Sequence, residues 1–236
     1  MTTLAIIQAR MSSSRFPGKV LADLDGLPMI VFMARRVAKC PSIDGVIVAT
    51  SDETSDDLLA KTCKANELTV FRGPLNNVLQ RFAMVQAQYS AEVMVRMTGD
   101  CPLADPRVID GLIALRAAET AHYASNVEPR SFPHGFDCEA FTAETLRRAV
   151  SNARDDYDRE HVTPWMRSDE AGLRRANLLR TPSVSSLRLT VDHPADLEVI
   201  RAVVADVGPD AALEEVVKWC VENPEIMALN AAHRTV

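Results

Sequence analysis

The sequence lacks the features that mark several common classes of protein. Its five cysteines are scattered, with no CxxC pair and no metal-binding spacing, so we expect reduced and mostly buried thiols. No apolar run approaches the length of a membrane span, and no membrane insertion is expected. The N-terminus lacks the basic segment and the apolar stretch of a secretion signal, which predicts a cytoplasmic location.

Glycine-rich phosphate motifs and an excess of positive charge are missing as well. Neither GxGxxG nor GxxxxGK[ST] occurs, which excludes a dinucleotide fingerprint and a P-loop. The 26 Lys and Arg face 32 Asp and Glu, giving a net charge of −6. Because a nucleic-acid binder usually presents a broad basic face, no nucleic-acid partner is expected. A small anionic ligand needs only a local basic pocket.

The order of apolar segments in the first half of the chain indicates an α/β fold. The 236 residues, 47% of them hydrophobic, suffice for one core, and we expect a single domain over 1–236. Strand-like and helix-like segments alternate, which is typical of a mostly parallel central sheet flanked by helices. The predicted strands are 4–7, 46–49, 68–71 and 93–95, and the predicted helices are 28–39, 55–66, 77–89 and 106–119.

The alternation changes in the second half of the chain. A strand is predicted at 138–141 and helices at 144–152 and 159–167, and we interpret residues 123–170 as an inserted arm. The core pattern then resumes with a strand at 187–191 and helices at 195–204, 211–222 and 225–232. Two tryptophans, Trp165 and Trp219, are predicted to lie in apolar packing, whereas Arg35 and Arg36 are predicted on a solvated helix face.

The loop at 9–21 is the most informative segment. It follows the first predicted strand directly, at the edge where open α/β sheets bind ligands. It concentrates three cations and three hydroxyls within an acidic chain, namely Arg10, Arg15, Lys19, Ser12, Ser13 and Ser14. Guanidinium and ammonium groups bind phosphate oxygens by charge-assisted hydrogen bonds, so the loop predicts a polyphosphate site.

Two acidic residues follow later predicted strands. Asp100 lies in the rigid turn Thr98-Gly99-Asp100-Cys101-Pro102, and Asp192 ends the segment Leu189-Thr190-Val191-Asp192. Mg²⁺ favours one or two carboxylates together with phosphate oxygens, which makes both residues candidate metal ligands. Asp196 falls in the first turn of the next helix, where an anion is favoured by the helix dipole, and a structural role is predicted for it. These carboxylates and the cationic loop fit metal-assisted phosphoryl or nucleotidyl transfer.

Several spaced motifs resemble a known family. The segment from Ala9-Arg10 to Leu21 resembles the ARxxSxRxPGKxL signature of cytidylyltransferases that make CMP-activated 3-deoxy-octulosonate and acylneuraminate sugars. The GDxP turn at 99–102 and the TVDxxxDL segment at 190–197 are similar too. The stretches at 71–82, 132–141 and 159–163 resemble the branch called spore coat polysaccharide biosynthesis proteins. The resemblance covers nearly the full chain, in order.

The resemblance implies a fold, a reaction and a set of site residues. The fold would be of the nucleotide-diphospho-sugar transferase (GT-A-like) type, in a homodimer, with the arm at 123–170 serving dimerisation and sugar binding. CTP would be the co-substrate and Mg²⁺ the metal, held by Asp100 and Asp192. The nucleotide would be bound by Ala9, Arg10, Ser12, Ser14, Arg15, Lys19, Arg72 and Arg81, with Arg72 and the Ala9-Arg10 backbone on the cytosine. The sugar would be bound by Asp137, Glu139 and His161.

The expected activity is transfer of CMP from CTP to a sugar, expected to be an acidic 2-keto sugar, with release of pyrophosphate for polysaccharide or glycoconjugate synthesis. Arg10, Arg15, Lys19, Asp100 and Asp192 would carry the reaction. Two alternatives stay open at this point: a guanylyl- or uridylyltransferase of the same fold, and a non-catalytic nucleotide-sugar-binding protein. No general base is identified; His161 is one candidate, and a structural role or a sugar contact is as consistent with its surroundings.

Overall fold

A seven-stranded sheet forms the centre of the fold in the computed structural model, which describes residues 2–233. A short hairpin, made of β2 and β3, lies outside this sheet. The strands in chain order are β1 (Thr3–Gln8), β2 (Asp23–Leu24), β3 (Leu27–Pro28), β4 (Gly45–Ser51), β5 (Thr69–Gly73), β6 (Val93–Thr98), β7 (Tyr123–Ser125), β8 (Glu139–Thr142) and β9 (Arg175–Asn177).

The sheet is mostly parallel, as the alternation of segments predicts. Its strand order is β5-β4-β1-β6-β8-β7-β9. The four strands β5, β4, β1 and β6 are parallel neighbours, whereas β8 runs antiparallel to both β6 and β7. Gln8, at the end of β1, pairs with Ala49 and Thr98, so the carboxyl ends of β1, β4 and β6 meet at one edge.

Helices cover both faces of the sheet. They are α1 (Met29–Val37), α2 (Asp57–Ala65), α3 (Val78–Tyr89), α4 (Pro106–Ala118), α5 (Ala143–Asn152), α6 (Asp156–His161), α7 (Pro164–Arg167), α8 (Pro194–Val207), α9 (Leu213–Glu222) and α10 (Pro224–Met227). Short 3₁₀ turns are found at Lys19–Leu21, Thr54–Asp56, Asp169–Ala171 and Ala228–His233. Within residues 2–233, no helix has the length and apolar character needed to cross a membrane.

The alternation of side chains along the strands divides the core into two layers. On β1, Ala5 and Ile7 pack with the apolar faces of α1, α4, α8 and α9, whereas Leu4 and Ile6 pack with α3, α5 and α7. This period-2 pattern is what a strand buried on both faces requires. Both tryptophans are buried, as predicted, and all five cysteines are buried and free.

Two predicted elements are wrong in their details. Residues 187–191 form an extended segment rather than a core strand, with a single bridge between Arg188 and His134. Apolar alternation does not distinguish an extended segment from a strand, because sheet membership depends on a partner elsewhere in the chain. The helix predicted at 159–167 is divided into α6 and α7, because Val162 has a φ of 70° and ends the first of them.

Arg36 is also not on a solvated helix face. It is 4% exposed, and its guanidinium donates hydrogen bonds to the backbone carbonyls of Leu103, Ala104, Pro209 and Ala211. Burial lowers the pKa of Arg36 below its ordinary value. This side chain therefore joins α1 to two distant loops.

The segment 123–170 is interleaved with the core. Its two strands, β7 and β8, lie inside the sheet beside β6, and its helices α5 and α6 pack against α3. Dimerisation and sugar binding by this segment stay predictions. Its position brings residues that follow β7 and precede β8 toward the same sheet edge as the loop 9–21.

Candidate active site

A cavity of about 330 Å³ opens at the carboxyl ends of β1 and β6. Two loops face each other across it: the cationic loop at 9–21 and the turn that carries Asp100. Gly99 lets these loops approach closely, because a Cβ at this position would lie 3.1 Å from the Ala9 Cβ. Ala9, Arg10, Ser14, Arg15, Lys19, Asp100 and Asp192 all line the cavity, so the structure brings most of the predicted site together.

The Lys19 ammonium is the centre of the site. It is buried, and its Nζ lies 2.6 Å from the Val191 carbonyl oxygen and 3.0 Å from Asp192 Oδ1. A third oxygen, Asp100 Oδ2, lies 3.4 Å away. Gly18 makes this placement possible, because its φ of 74° turns the chain into the short 3₁₀ turn that begins at Lys19. One cation thus contacts both predicted metal ligands.

Asp192 is held by cations on both of its oxygens. Its Oδ1 lies 2.7 Å from an Arg15 nitrogen, in addition to Lys19, and its Oδ2 accepts a 3.0 Å hydrogen bond from Arg188. Burial by itself would raise the pKa of Asp192, but Lys19, Arg188 and Arg15 outweigh it, and the pKa lies below its usual value. The carboxylate is therefore ionised at neutral pH.

Asp100 is fixed by its own turn. Its Oδ1 accepts a 2.5 Å hydrogen bond from Thr98 Oγ1. The Asp100 carbonyl accepts hydrogen bonds from Val191 N at 2.8 Å and from Thr190 Oγ1 at 3.1 Å. These bonds tie the end of β6 to the extended segment before Asp192, which is why two acids 92 positions apart share one lysine.

Arg10 stands at the mouth of the cavity. Its Nη2 lies 3.1 Å from Glu160 Oε1, and both side chains are more than two-fifths exposed. An exposed ion pair of this kind contributes little to stability, so an incoming anion can replace the Glu160 carboxylate on Arg10. His161, the next residue of α6, also lines the cavity.

The cationic loop at 9–21 is anchored by a buried acid, Asp56. Its Oδ1 accepts a 2.7 Å hydrogen bond from Met11 N, and its Oδ2 accepts from Thr50 Oγ1 and from the amide and hydroxyl of Ser51. Burial by itself would raise the pKa of Asp56, but these donors outweigh it and lower the pKa. The carboxylate therefore joins the end of β4 to the cationic loop.

Arg81 forms part of the cavity wall. It is 2% exposed and donates to the carbonyls of Ala49, Pro74 and Leu75, and burial lowers its pKa to about 10. Arg72, by contrast, lies outside this cavity, where it bonds Ser51 O and Asp57 Oδ1.

Three further residues of the predicted set do not line the main cavity. Ser12 is exposed and does not line the cavity. Asp137 and Glu139 line a neighbouring cavity of about 150 Å³ instead, which shares Arg96 and Thr98 with the main one. Its other charged walls are Arg130 and Arg167.

The two acids of this second cavity differ in burial and in their partners. Glu139 is buried, with Arg96 on one oxygen and Tyr123 Oη on the other. Burial by itself would raise the pKa of Glu139, but Arg96 above all outweighs it and keeps the pKa low. Asp137 forms a bidentate pair with Arg130 at the cavity wall. Arg167 carries a buried Nε that has no hydrogen-bond partner among the described residues.

The oxygen atoms around Lys19 Nζ form a donor set that a divalent ion can use. Within residues 2–233, no group of three or more His, Cys, Asp and Glu side chains could hold a metal. Two carboxylates and the Val191 carbonyl nevertheless surround a single cation, Lys19 Nζ, with oxygen atoms only. Mg²⁺ is commonly bound by one or two carboxylates plus substrate phosphates, so this donor set fits such an ion once phosphate oxygens join it.

Sequence reasoning missed Asp56, Arg96, Arg130, Arg167 and Arg188. One signal was present for Arg188: in the extended segment before Asp192, Arg188, Thr190 and Asp192 alternate with the buried Leu189 and Val191. Such alternation places the three polar residues on one face. No local pattern marks Asp56, whose partners come from the ends of two other elements.

Comparison with known proteins places the chain among cytidylyltransferases. Residues 4–222 match the family model described as cytidylyltransferase. The spore coat polysaccharide biosynthesis protein SpsF of Bacillus subtilis is 33% identical over 232 residues, which are 94% of this chain and 95% of that protein. A 3-deoxy-manno-octulosonate cytidylyltransferase of Geobacter metallireducens is 37% identical over 121 residues, or 51% of this chain and 47% of that protein.

A solved structure shows the same fold. The structure of a cytidylyltransferase from Leptospira borgpetersenii superposes with a TM-score of 0.92 at 29% identity, covering 96% of this chain and 97% of that one. The matched residues include the cationic loop, Asp100, Asp192 and the residues that line the second cavity. The chain belongs to the cytidylyltransferase family.

Proposed function

We propose that this cytidylyltransferase transfers CMP from CTP to the anomeric hydroxyl of an acidic 2-keto sugar, with a divalent metal ion, Mg²⁺, and release of pyrophosphate. The observation that carries the proposal is the convergence of Arg10, Arg15 and Lys19 with Asp100 and Asp192 at the rim of one cavity. Such a cluster binds a triphosphate and stabilises the charge that develops during its transfer.

The second cavity supports an acidic sugar. It adjoins the nucleotide cavity through Arg96 and Thr98, and two more arginines, Arg130 and Arg167, line it. Arg130 is already paired with Asp137, whereas the buried Nε of Arg167 has no partner among the described residues. The Arg167 guanidinium also lies 3.7 Å from the exposed Glu128 carboxylate, and a sugar carboxylate can replace that weakly held partner. Sugar contacts by Asp137, Glu139 and His161 remain part of the proposal.

The roles of the chain's own residues follow from their positions. Arg10 exchanges Glu160 for the triphosphate, and Arg15 and Lys19 neutralise the charge of the departing pyrophosphate. Ser14 and the backbone of Ala9 and Arg10 complete the nucleotide site. When bound to Asp100 and Asp192, Mg²⁺ would supply charge stabilisation for the phosphate oxygens in transfer. Arg81 holds the wall of the nucleotide cavity through three backbone carbonyls.

The nucleotide assignments of Arg72 and Ser12 have less support. Arg72 donates to two backbone carbonyls and to Asp57, and it would have to leave all three to reach a cytosine in the cavity. A homodimer, which the resemblance implies, and a cytoplasmic location, which the N-terminal sequence predicts, also remain proposals. Light scattering on the purified chain tests the first, and fractionation of the source cells tests the second.

Pyrophosphate release tests the proposed reaction. The purified protein is incubated with Mg²⁺ and CTP, GTP, UTP or ATP, and with 3-deoxy-manno-octulosonate, N-acetylneuraminate, mannose or the methyl ester of each acid. We expect release with CTP and a free keto acid, and none with mannose or the esters. Equal release with mannose would contradict the acidic substrate, and release without a divalent ion in the presence of EDTA would contradict the metal.

A further inference from the structure

Arg188 is a buried cation directly behind the site. It is 5% exposed and does not line the nucleotide cavity. Its Nη2 donates to Asp192 Oδ2 and to Asp196 Oδ2, both at 3.0 Å, and its Nε donates to Asp196 Oδ1 at 3.0 Å. Its Nη1 lies 3.5 Å from His134 Nδ1. Every nitrogen of this guanidinium therefore faces a polar partner.

The two oxygens of Asp192 contact different groups of cations. Oδ1 points to the cavity cations Lys19 and Arg15, whereas Oδ2 is taken by Arg188. The planar fork of Arg188 is bidentate to Asp196, which fixes the guanidinium, and its Nη2 then holds Asp192 Oδ2 by one further hydrogen bond.

The support for Arg188 is itself rigid. Asp196, which is fully buried in the first turn of α8, accepts 2.9 Å hydrogen bonds from the backbone nitrogens of Asp192 and His193. Asn230 Nδ2 donates to the other oxygen of Asp196 at 3.0 Å. The bidentate Asp196–Arg188 pair thus fixes Asp192 relative to α8.

The cations on the cavity side of Asp192 are needed elsewhere during the reaction. Lys19 and Arg15 are the groups that the proposed function draws to the triphosphate. Once they turn to it, Arg188 is the cation that stays on Asp192 among the residues that contact it here. Without that cation, a nearly buried carboxylate would lose both its orientation and its charge compensation.

We propose that Arg188 is a positioning residue: it holds Asp192 with Oδ1 toward the cavity while Lys19 and Arg15 engage the nucleotide. The inference rests on the metal-binding role given to Asp192 under the proposed function. A positioning role and a merely structural role predict different effects of substituting Arg188. Loss of a positioning residue lowers kcat and metal affinity in the folded protein, whereas CTP binding changes little because Arg188 does not touch the cavity.

The test compares Arg188→Met and Arg188→Lys with Arg201→Met. Arg201 is the control: it is a half-exposed arginine of α8 that also binds one carboxylate, Glu198, together with the Asp23 carbonyl, and it lies outside the cavity. For Arg188→Met we expect kcat to fall by about 10- to 100-fold and the affinity of the enzyme–CTP complex for Mn²⁺ to fall by about 10-fold, the usual effects of losing a group that orients a metal ligand. Mn²⁺ binding is measured by electron paramagnetic resonance without sugar, and KM for CTP should stay within about threefold.

The lysine variant keeps the charge but not the fork, so we expect it to recover part of the lost kcat and metal affinity. A folded Arg188→Met protein with wild-type kcat and Mn²⁺ affinity overturns the proposal, as does a fall in kcat that matches the fraction unfolded. If Arg188→Met does not fold, wild-type kcat in Arg188→Lys overturns it. If the wild-type protein binds no Mn²⁺ with CTP, the metal role of Asp192 fails, and kcat of the folded variants still decides the positioning role.

Discussion

Lys19 and Asp192 are separated by 173 positions in the sequence, yet Lys19 Nζ lies 3.0 Å from Asp192 Oδ1. Asp100 Oδ2 lies 3.4 Å from the same nitrogen. Lys19 arrives from the loop after β1, Asp100 from the turn after β6, and Asp192 from the segment before α8. Because the three side chains belong to three separate segments, each can be substituted on its own.

Replacing Lys19 by methionine should impair both turnover and folding. Two acids near one another, one of them mostly buried, would lose their shared cation, and breaking a buried ion pair costs about 3 kcal/mol or more in the free energy of unfolding. Turnover should fall by about a hundredfold, as expected for the loss of one preorganised contact. Urea unfolding and pyrophosphate release measure the two effects. Lys39→Met, which breaks an exposed pair with Asp210, should cost less than about 1 kcal/mol.

Replacing Asp100 by alanine should separate activity from stability. The Asp100 side chain is 27% exposed, and its backbone carbonyl, rather than its carboxylate, joins the segment before Asp192. We therefore expect turnover to fall by about a hundredfold with a circular dichroism spectrum and melting temperature close to those of the wild type. Asp52→Ala, at an exposed position after β4, is the control. Near-wild-type turnover in Asp100→Ala would remove Asp100 from the metal site.

Asp56 predicts a pH dependence of stability. Its pKa is lower in the folded protein than its ordinary value near 3.9. The stabilisation is therefore present above pH about 4 and is lost as the pH falls through the folded-state pKa. In Asp56→Asn we expect the free energy of unfolding at pH 7 to fall by about 2 kcal/mol and its decline on acidification to be shallower. Unfolding curves between pH 3 and 7 measure this.

Asp52→Asn provides the matched comparison for Asp56, because Asp52 is an exposed aspartate four positions earlier. It should leave both the stability at pH 7 and the acid dependence unchanged. An Asp56→Asn protein that loses stability in acid as steeply as the wild type would show that another carboxylate dominates.

Two glycines with positive φ should respond differently to alanine. At Gly135, φ is 115° and an added Cβ would lie 2.4 Å from the backbone carbon and oxygen of Leu189. We expect Gly135→Ala to lower the free energy of unfolding by about 2–5 kcal/mol, since neither backbone can yield freely. At Gly172, φ is 57° with nothing within 4 Å of the added Cβ, and the cost should be about 1 kcal/mol. Equal melting temperatures for the two variants would contradict this difference.

Much of the first half of the fold could be predicted because each element carries its own pattern. Leu4 to Ile7 is apolar at every position, and the helix predicted at 106–119 is observed as Pro106–Ala118, with Asp105 as its N-cap. The contribution of β7 and β9 to the sheet could not be predicted. Each is three residues long, and its place depends on neighbours that lie far away in the sequence.

Charged residues show where prediction from sequence fails. Arg36 and Arg188 resemble any surface arginine in the sequence, yet both are nearly buried. A buried guanidinium is tolerated only where acceptors surround it, and here these are backbone carbonyls for Arg36 and two aspartates for Arg188. The acceptors of Arg36 come from other elements, so no window of sequence around it contains the reason for its burial. Those of Arg188 lie four and eight positions further along the chain, but only the fold of the segment before α8 turns them toward it.

The sequence by itself determined the order of strands and helices in the first half, the cationic loop after β1 and the acids that follow two apolar segments. These are local properties, because periodicity, turn residues and clustered charge can be recognised from residues that are close together in the sequence. Only the tertiary structure decided that Lys19 lies between Asp100 and Asp192, that Arg188 supports the second of these acids, and that Asp137 and Glu139 line a separate cavity. Those relationships depend on which backbone segments pack together, and packing is settled by the whole chain at once.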